Sequence, residues 1–466
     1  MPDLRQEQIQ RLTAAPVDVL IVGGGINGAG VLRDLALRAD SSGSSLRVGL
    51  VEKGHFASGT SGKNSQLIHG GLRYLKYLQF HLVRESLRER SILLRIAPHF
   101  VQPLQFLLPM YGVKSRLVYG TGLWLYDMLA GSRAIARHRT ISPDEVARME
   151  PALSRNGLTS AALFYDGAVR SAQFVVENVL DAIAHGGFAA NYVLAESWQA
   201  GRDNFWRVSC RDTLTGEPFE LQTRKIVDTR GAWMDGTSLR LVRGSHIVVP
   251  RVTAGDHAVA HFEPDGRIIF FIPWGSRRQL TLVGTTDKDH HGSPDRVHIT
   301  EKEIEYLLAI VHKLFPEAEN INPVSAFSSL RPLIRTGGQS ATATSRDHKI
   351  WNSSDGVLHI AGGKYTTYRL MSEEAADLVC QEIAPELAQI HRTRETPFPE
   401  IPRAPGEMME QHLRDYLFIS TYLGYERRGE RQELMPDACA LAAKLSWNEA
   451  RLQDELKDVS ARLPAL

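Results

Sequence analysis

Between Val17 and Val22 the chain runs VDVLIV, apolar and rich in β-branched residues, and then changes period: GGGINGAG leads into VLRDLALRA, whose apolar positions recur at helical spacing. This predicts strand, tight turn and helix. The polar stretch from Asp40 to Ser45 makes the next turn, and LRVGLVE predicts a second strand ending at Glu52, which completes a βαβ unit. Helical spacing returns between Phe80 and Ile96 and stops at Pro98. From Phe100 to Ala130 the aromatic and aliphatic residues are broken by Pro103, Pro109 and glycines, which argues against one long helix.

Ala172 to His185 predicts another helix. WRVSCRD, the turn at Thr215 and Gly216, and FELQTRKIVDT predict antiparallel strands leading into a buried one. Strands then dominate from Leu241 to Leu333 (SHIVVPR, RIIFFIPW, QLTLVGTTD), with one helix, EKEIEYLLAIVHKLF, among them. The strand VLHIAG precedes a second glycine turn, Gly362-Gly363, and the helical pattern TTYRLMSEEAADLVCQEI. The proline-spaced linker TPFPEIPRAP separates off a short helical tail. There is no internal repeat.

Composition narrows the class without changing this picture. The 466 residues are 43% hydrophobic and 23% charged, as in a globular protein of two or three domains. A net charge of +1 argues against a nucleic-acid partner. Cys210, Cys380 and Cys439 lie far apart, which argues against a disulfide framework or a metal site and fits a reducing cytoplasm. Neither a signal-peptide core nor a long apolar run is present, so the chain is expected not to span a membrane.

Gly23, Gly25 and Gly28 have the G-x-G-x-x-G spacing in the context it requires, after a strand and opening a helix. The first permits the turn, the second lets backbone approach a pyrophosphate, and the third lets helix and strand pack. Glu52, at the end of the second strand, is placed to accept hydrogen bonds from a ribose diol. The turn Gly362-Gly363-Lys364 opens a second helix, and two distant glycine turns suit one long cofactor, which favours FAD over NAD. The hydroxyls and glycines of Gly59-Thr60-Ser61 and of the run Gln66 to Tyr74 suit close passage of a pyrophosphate or a flavin ring.

GGGINGAG, LIHGGLRYL, GSHIVVPR, VGTTD, LRPL, SRDH and GGKYTTYR occur in the order and approximate spacing of the FAD-dependent glycerol-3-phosphate dehydrogenases, within the wider D-amino-acid-oxidase-like flavoproteins. The chain resembles that family from Val17 to Glu382. The resemblance implies an α/β (α+β) fold: a Rossmann-like FAD-binding domain from discontinuous segments, an antiparallel β substrate-binding domain and a short C-terminal helical domain. The expected boundaries are a flexible 1–16; 17–80, 150–236 and 355–392 for FAD; 81–149 and 237–354 for substrate and cap; and 403–466 for the helical tail.

Carried over residue by residue, the resemblance places Gly23, Gly25, Ile26, Asn27, Gly28, Glu52, Lys53, Thr60 and Ser61 at the cofactor. It adds Ser65, Gln66, Leu67, His69, Gly70, Val193 and Gly231, and from the second turn Gly362, Gly363, Lys364, Tyr365 and Thr366. Arg73, Tyr74, Arg331, Arg346 and Lys364 are expected around a phosphorylated polyol, since guanidinium forks meet phosphate oxygens bidentately. Oxidising a secondary alcohol needs a base for the hydroxyl proton; His246 is the candidate and His69 the second choice, better suited to packing against the flavin, with Arg331 and Lys364 stabilising developing charge.

The sequence departs from the family in three places. Gln66 stands where lysine is common, Arg230 in VDTRGAW brings a bulky cation toward the cofactor's phosphate or ribose, and the tail is short. These departures leave open a second reading, a diverged oxidase or dehydrogenase for another hydroxylated or amino substrate in specialised metabolism. A third, a flavin-binding interaction protein without turnover, is opposed by the retained arginines and His246. The resemblance also implies electron transfer to quinone or another acceptor and peripheral attachment to the cytoplasmic face of the inner membrane; a homodimer is compatible with it. Phe106, Leu107, Leu108, Trp124, Leu125 and Tyr126 near Lys114, Arg116 and Arg133 read as a membrane-facing surface or as a buried cap over the site.

Overall fold

In the computed structural model the described residues are 4–77, 79–201, 203–234, 239–275, 278–335, 347–426 and 431–462. The run VDVLIV is almost entirely buried because the strand Val17–Val22 has a parallel neighbour on each side, Val48–Val51 and Pro218–Asp228, as an unbroken apolar run requires. The sheet around it runs in the order His348–Asn352, Leu358–Gly362, Pro218–Asp228, Val17–Val22, Val48–Val51, Phe188–Ala190. Val193–Ala200 and Trp206–Asp212 extend it as an antiparallel meander.

The helices Ile26–Ser42, Ser171–Ala184 and Tyr368–Ile383 pack together beside this sheet. The first is buried almost all round, so its charges must be paired: Arg33 meets Asp181 at 2.6 Å and Arg38 meets Asp34 at 2.6 Å.

The second sheet runs Lys288–Asp289, Leu239–Pro250, Leu280–Gly284, Ile268–Trp274, Ala258–Phe262, Val101–Tyr111, Leu158–Val169, Leu67–Ile68; Ser325–Ile334 joins at Leu239–Pro250 and Arg139–Ile141 at Leu158–Val169. Its two faces are separated by strand alternation. Ile247 and Val249 point into a cluster with Leu307, Ile310 and Val311 of the helix Glu301–Leu314. Val248 points the other way, into the main core shared with the first sheet, and His246 shares that side of the strand. This alternation aims His246 at the interior between the sheets.

Several expectations change. Residues 4–13, expected to be flexible, form the helix Leu4–Thr13, held because buried Arg5 donates to Asn191 O at 2.9 Å and pairs with Asp212 at 2.8 Å. Sheet membership also differs from the expected boundaries: residues 67–68 and 158–169 pair in the second sheet, and 348–352 in the first.

The segment from Phe100 to Ala130 is a strand, Val101–Tyr111, followed by one helix, Val113–Ala130. Pro103 and Pro109 are tolerated because the strand's second edge is paired only at Phe106 and Leu107 among the described residues. Gly120 and Gly122 do not stop the helix, since buried Leu123, Tyr126 and Ala130 anchor it.

Candidate active site

The site is built outward from the first glycine turn. Gly23 has φ 110°, and a Cβ there would meet Thr229 O at 2.8 Å. A Cβ on Gly28 would sit 2.0 Å from Gly23 O and 2.6 Å from Thr229 Oγ1. Gly25 is the N-cap of the helix Ile26–Ser42, which has no side-chain N-cap and no acid in its first turn. Ser61 Oγ accepts from Ile26 N–H at 2.9 Å, and Asn27 follows in the same turn. A close-packed glycine turn feeding a helix start without an acid fits a pyrophosphate.

Glu52 closes the next strand. Its Oε2 accepts from Gly24 N–H at 2.6 Å and its Oε1 from Gly54 N–H at 2.9 Å. Burial pushes this carboxyl up, against the two amides. Each oxygen retains a lone pair for a sugar hydroxyl. Val193 donates its N–H to Glu52 O at 2.8 Å and buries its side chain, so it steadies Glu52 from behind.

Lys53 turns outward to Asp295 at 2.7 Å and lies over Trp233. Arg230 does not carry a bare cation to the cofactor: it grips Asp228 through Nε and Nη2, both at 3.0 Å, and stacks 4.8 Å from the Trp198 ring. Gly231, at φ 59°, opens the short turn that follows.

The second group converges across chain segments far apart in sequence. His246 Nε2 lies 2.8 Å from Ser65 Oγ, and its ring stacks on Phe327 with centroids 5.0 Å apart. Gly284 makes room for it, since a Cβ there would touch the imidazole at 2.2 Å. Burial first, and the Arg331 guanidinium second, hold the imidazole down at about 3. Arg331 is itself fixed, donating to Asp287 Oδ1 at 2.7 Å, Thr285 Oγ1 at 2.8 Å and Thr286 O at 3.1 Å. Thr60 Oγ1 donates to Leu330 O and Ser329 Oγ donates to Lys63 O, so the loop 60–66 is tied along the strand that carries Arg331.

Residues 65–74 link this group to the second glycine turn. Gln66 has φ 53°, and Leu67 pairs in the second sheet. His69 O accepts from Thr366 Oγ1 at 3.2 Å, and Gly70 N–H donates to Asp166 at 3.0 Å. Gly362 and Gly363 both have positive φ, and Tyr365 donates to Ser171 O at 2.6 Å. Lys364 lies 4.0 Å from the Tyr74 ring and donates to Ser86 Oγ at 3.1 Å. Two groups thus emerge, His246 with Ser65 and Arg331, and Lys364 with Tyr74. Of the other expected residues, Arg346 and the Arg73 side chain lie outside what is described.

Sequence reading placed Ser65 at the cofactor and did not anticipate its contact with His246, 2.8 Å from Nε2. It also passed over Asp287, although VGTTD contains it; the clue was an acid in a quoted motif with no role.

The expected membrane surface divides differently. Phe106, Leu107, Leu108 and Tyr126 are buried, the first three in a central strand and the tyrosine through a 2.7 Å bond to Asp166. Leu125 is half-buried and Trp124 alone of the six is exposed.

A glycine turn, an acid closing the next strand, and a buried histidine across a second sheet define a dinucleotide-binding oxidoreductase of two-sheet build. The chain belongs to the FAD dependent oxidoreductase family (DAO), whose model matches residues 18–369, so its cofactor is FAD. It is 38% identical over 393 residues to a glycerol-3-phosphate dehydrogenase of Synechocystis sp., covering 78% of this chain and 69% of the relative. It is 35% identical over 418 residues to a D-erythritol 1-phosphate dehydrogenase of Brucella abortus, covering 85% of this chain and 80% of the relative. The FAD complex of a glycerol-3-phosphate dehydrogenase from Bacillus halodurans shares the fold, with TM-score 0.76, 21% identity, and 98% and 97% of the two chains covered.

Proposed function

We propose that this chain oxidises sn-glycerol 3-phosphate to dihydroxyacetone phosphate and passes the electrons to a quinone or another acceptor. The observation that carries the reading is the Ser65–His246–Arg331 group in a chain of this family, together with relatives named for polyol phosphates. FAD, when bound, accepts the hydride at N5. The helix start at Gly25 to Gly28 and the Glu52 carboxylate would hold its pyrophosphate and ribose. The chain's own residues handle the proton. Ser65 is half-buried whereas His246 is 2% exposed, so in this reading Ser65 meets the substrate hydroxyl and His246 Nε2 receives a proton behind it. Arg331 and Lys364 supply positive charge for the phosphate, and Arg73 and Arg346 join them in this reading.

The test is anaerobic addition of sn-glycerol 3-phosphate to the yellow holoenzyme while the visible flavin band is followed. Bleaching is expected, and a band that stays unchanged with FAD bound overturns the reading. A second reading has a specific observation in its favour: the D-erythritol 1-phosphate dehydrogenase is covered over 80% of its length, more than the 69% of the Synechocystis relative. Faster bleaching by erythritol 1-phosphate would move the assignment to the four-carbon substrate.

The depressed basicity of His246 makes a pH prediction. A group held at about 3 is neutral throughout the working range, and protonating it beside Arg331 is unfavourable. A bound phosphate dianion offsets the Arg331 charge, which favours the imidazolium and raises its pKa. The acid limb of kcat should therefore lie at higher pH than that of kcat/KM, read from full pH profiles of both. Coincident limbs would remove Arg331 as the link between phosphate and base.

We place the protein at an anionic membrane surface through the helix Val113–Ala130. Among the described residues no helix is long and apolar enough to cross a membrane. This one instead exposes Val113 (79%), Leu117 (71%), Trp124 (60%) and Met128 (56%) at helical spacing, beside exposed Lys114, Arg116 and Arg133. Apolar residues with a basic rim suit the headgroup boundary of an anionic bilayer. Replacing Leu117, Trp124 and Met128 together by serine should abolish co-sedimentation with phosphatidylglycerol vesicles and leave flavin reduction in solution intact. Undiminished co-sedimentation would contradict this placement, as would a wild-type mass showing that the face is covered by a second copy.

A further inference from the structure

The Arg331 guanidinium rests on Gly244, where a Cβ would meet it at 2.2 Å, and three consecutive residues supply acceptors to it: Thr285 Oγ1, Thr286 O and Asp287 Oδ1. His246 in turn rests on Gly284. Residues 244–246 and 284–287 therefore form one frame for both side chains, and their middle residues, Ser245 and Thr286, are fully buried. Thr286 N–H donates to Ser245 O at 3.3 Å, and Ser245 N–H donates to Thr286 Oγ1 at 3.0 Å.

Both hydroxyls then converge on a buried carboxylate that the reaction does not use. Glu303 Oε1 accepts from Ser245 Oγ at 2.9 Å and from Thr286 Oγ1 at 2.8 Å. Its Oε2 accepts from Thr300 Oγ1 at 2.9 Å, Thr300 N–H at 3.1 Å and Arg243 Nη2 at 2.8 Å, while Arg243 Nε reaches Oε1 at 3.4 Å. Ser245 shares the strand face of Ile247 and Val249, which packs on the helix Glu301–Leu314, so the alternation that aims His246 inward delivers Ser245 to Glu303. Burial works against charge on Glu303, yet the hydroxyls of Thr286, Ser245 and Thr300 hold its carboxyl below the ordinary range, so it accepts these bonds as a carboxylate.

We propose that Glu303 is a positioning residue for the cation that reads the substrate phosphate: by fixing the Thr286 hydroxyl it holds the 285–287 cradle, and so sets where Arg331 stands relative to His246. Glutamine at 303 isolates this role. Arg243 cannot accept a hydrogen bond whereas hydroxyls can, so the new amide must turn its oxygen to Arg243 and its NH2 to Ser245 and Thr286. The Thr286 hydroxyl, already an acceptor from Ser245 N–H, then loses its own acceptor.

This rests on the phosphate role of Arg331 given above, which Arg331→Met tests by itself. Each oxidised holoenzyme is titrated calorimetrically with dihydroxyacetone phosphate, the product in that reading. Glu303→Gln should weaken binding about ten-fold with FAD content held. Thr286→Val should do the same, and the double variant should be no weaker than T286V because both act through one hydroxyl. Thr300→Val removes a bond from the other oxygen of the same carboxylate; it should lower the melting temperature and leave binding unchanged. In anaerobic stopped-flow reduction by sn-glycerol 3-phosphate, the E303Q loss should fall on the half-saturating concentration more than on the limiting rate.

An E303Q affinity within about two-fold of wild type, effects that multiply in the double variant, or an equal loss in T300V overturns the proposal. A loss confined to the limiting rate does so too. If E303Q is not recovered with flavin, T286V set against T300V carries the same test. Unweakened binding in R331M removes the phosphate role of Arg331, whereas a weakened R331M beside an unchanged E303Q defeats the positioning proposal alone.

Discussion

His246→Gln should lower the anaerobic rate of flavin reduction by roughly 10²- to 10⁴-fold, the usual range for loss of a positioned general base, while FAD stays bound. Glutamine is chosen because its amide can still bond Ser65 Oγ, 2.8 Å from the present Nε2, yet cannot hold the proton. That separates loss of the bond from loss of basicity. The fold-change corresponds to roughly 3–5 kcal/mol of barrier, which hydrogen-bond rearrangement alone does not supply. Arg331 keeps its ties to Asp287, Thr285 and Thr286 in the variant, so binding of a non-reducing polyol phosphate should be nearly unchanged. Ser65→Ala should give a loss of similar order, and the double variant should be little worse than either single one, since both remove one path for the proton. A His246→Gln rate within about five-fold of wild type would show that the proton leaves by another route.

What could be read from the sequence follows from how local each feature is. The glycine turn was legible because Gly23, Gly25 and Gly28 act through their own backbone and Glu52 closes the one neighbouring strand. Strand alternation around Ile247 and Val248 likewise follows from a period visible in the letters. The Ser65–His246 contact spans 181 positions and depends on how the second sheet turns toward the first, for which no periodicity exists.

Charges were the least legible features. Arg230 looked like a cation beside the cofactor, but its own Asp228, two residues away, takes the guanidinium through two bonds. Arg331 was expected to bind phosphate and to stabilise developing charge, and its partner Asp287 arrives from the loop between Leu280–Gly284 and Lys288–Asp289. A side chain's charge can be read from sequence; its pairing is set by the fold. The same holds for the apolar stretch around Phe106 and Trp124. Whether such residues face a core or a membrane depends on which are in the strand and which on the outward side of the helix.

Gly28→Ala should cost the protein its flavin. The added methyl would stand 2.0 Å from Gly23 O and 2.6 Å from Thr229 Oγ1, and both atoms are already committed, because Thr229 Oγ1 donates to Gly23 O at 2.8 Å and to Val22 O at 3.0 Å. Neither neighbour is the free end of a flexible side chain. The helix Ile26–Ser42 must therefore move off the strand end, taking with it the N–H groups that would face the pyrophosphate. Overpacking of this kind costs about 1–3 kcal/mol, and loss of FAD removes the further stabilisation that a ligand gives the folded state, about 2.7 kcal/mol at a hundred-fold excess over Kd. Purified G28A should thus carry far less flavin per chain than wild type and melt below flavin-stripped wild type, with no response to added FAD. Gly120→Ala is the matched control, since nothing lies within 4 Å of a Cβ there and the residue sits inside a helix. G120A should keep its flavin and its melting temperature or gain slightly. A yellow G28A of full stoichiometry would mean that the helix start is not where the pyrophosphate is held.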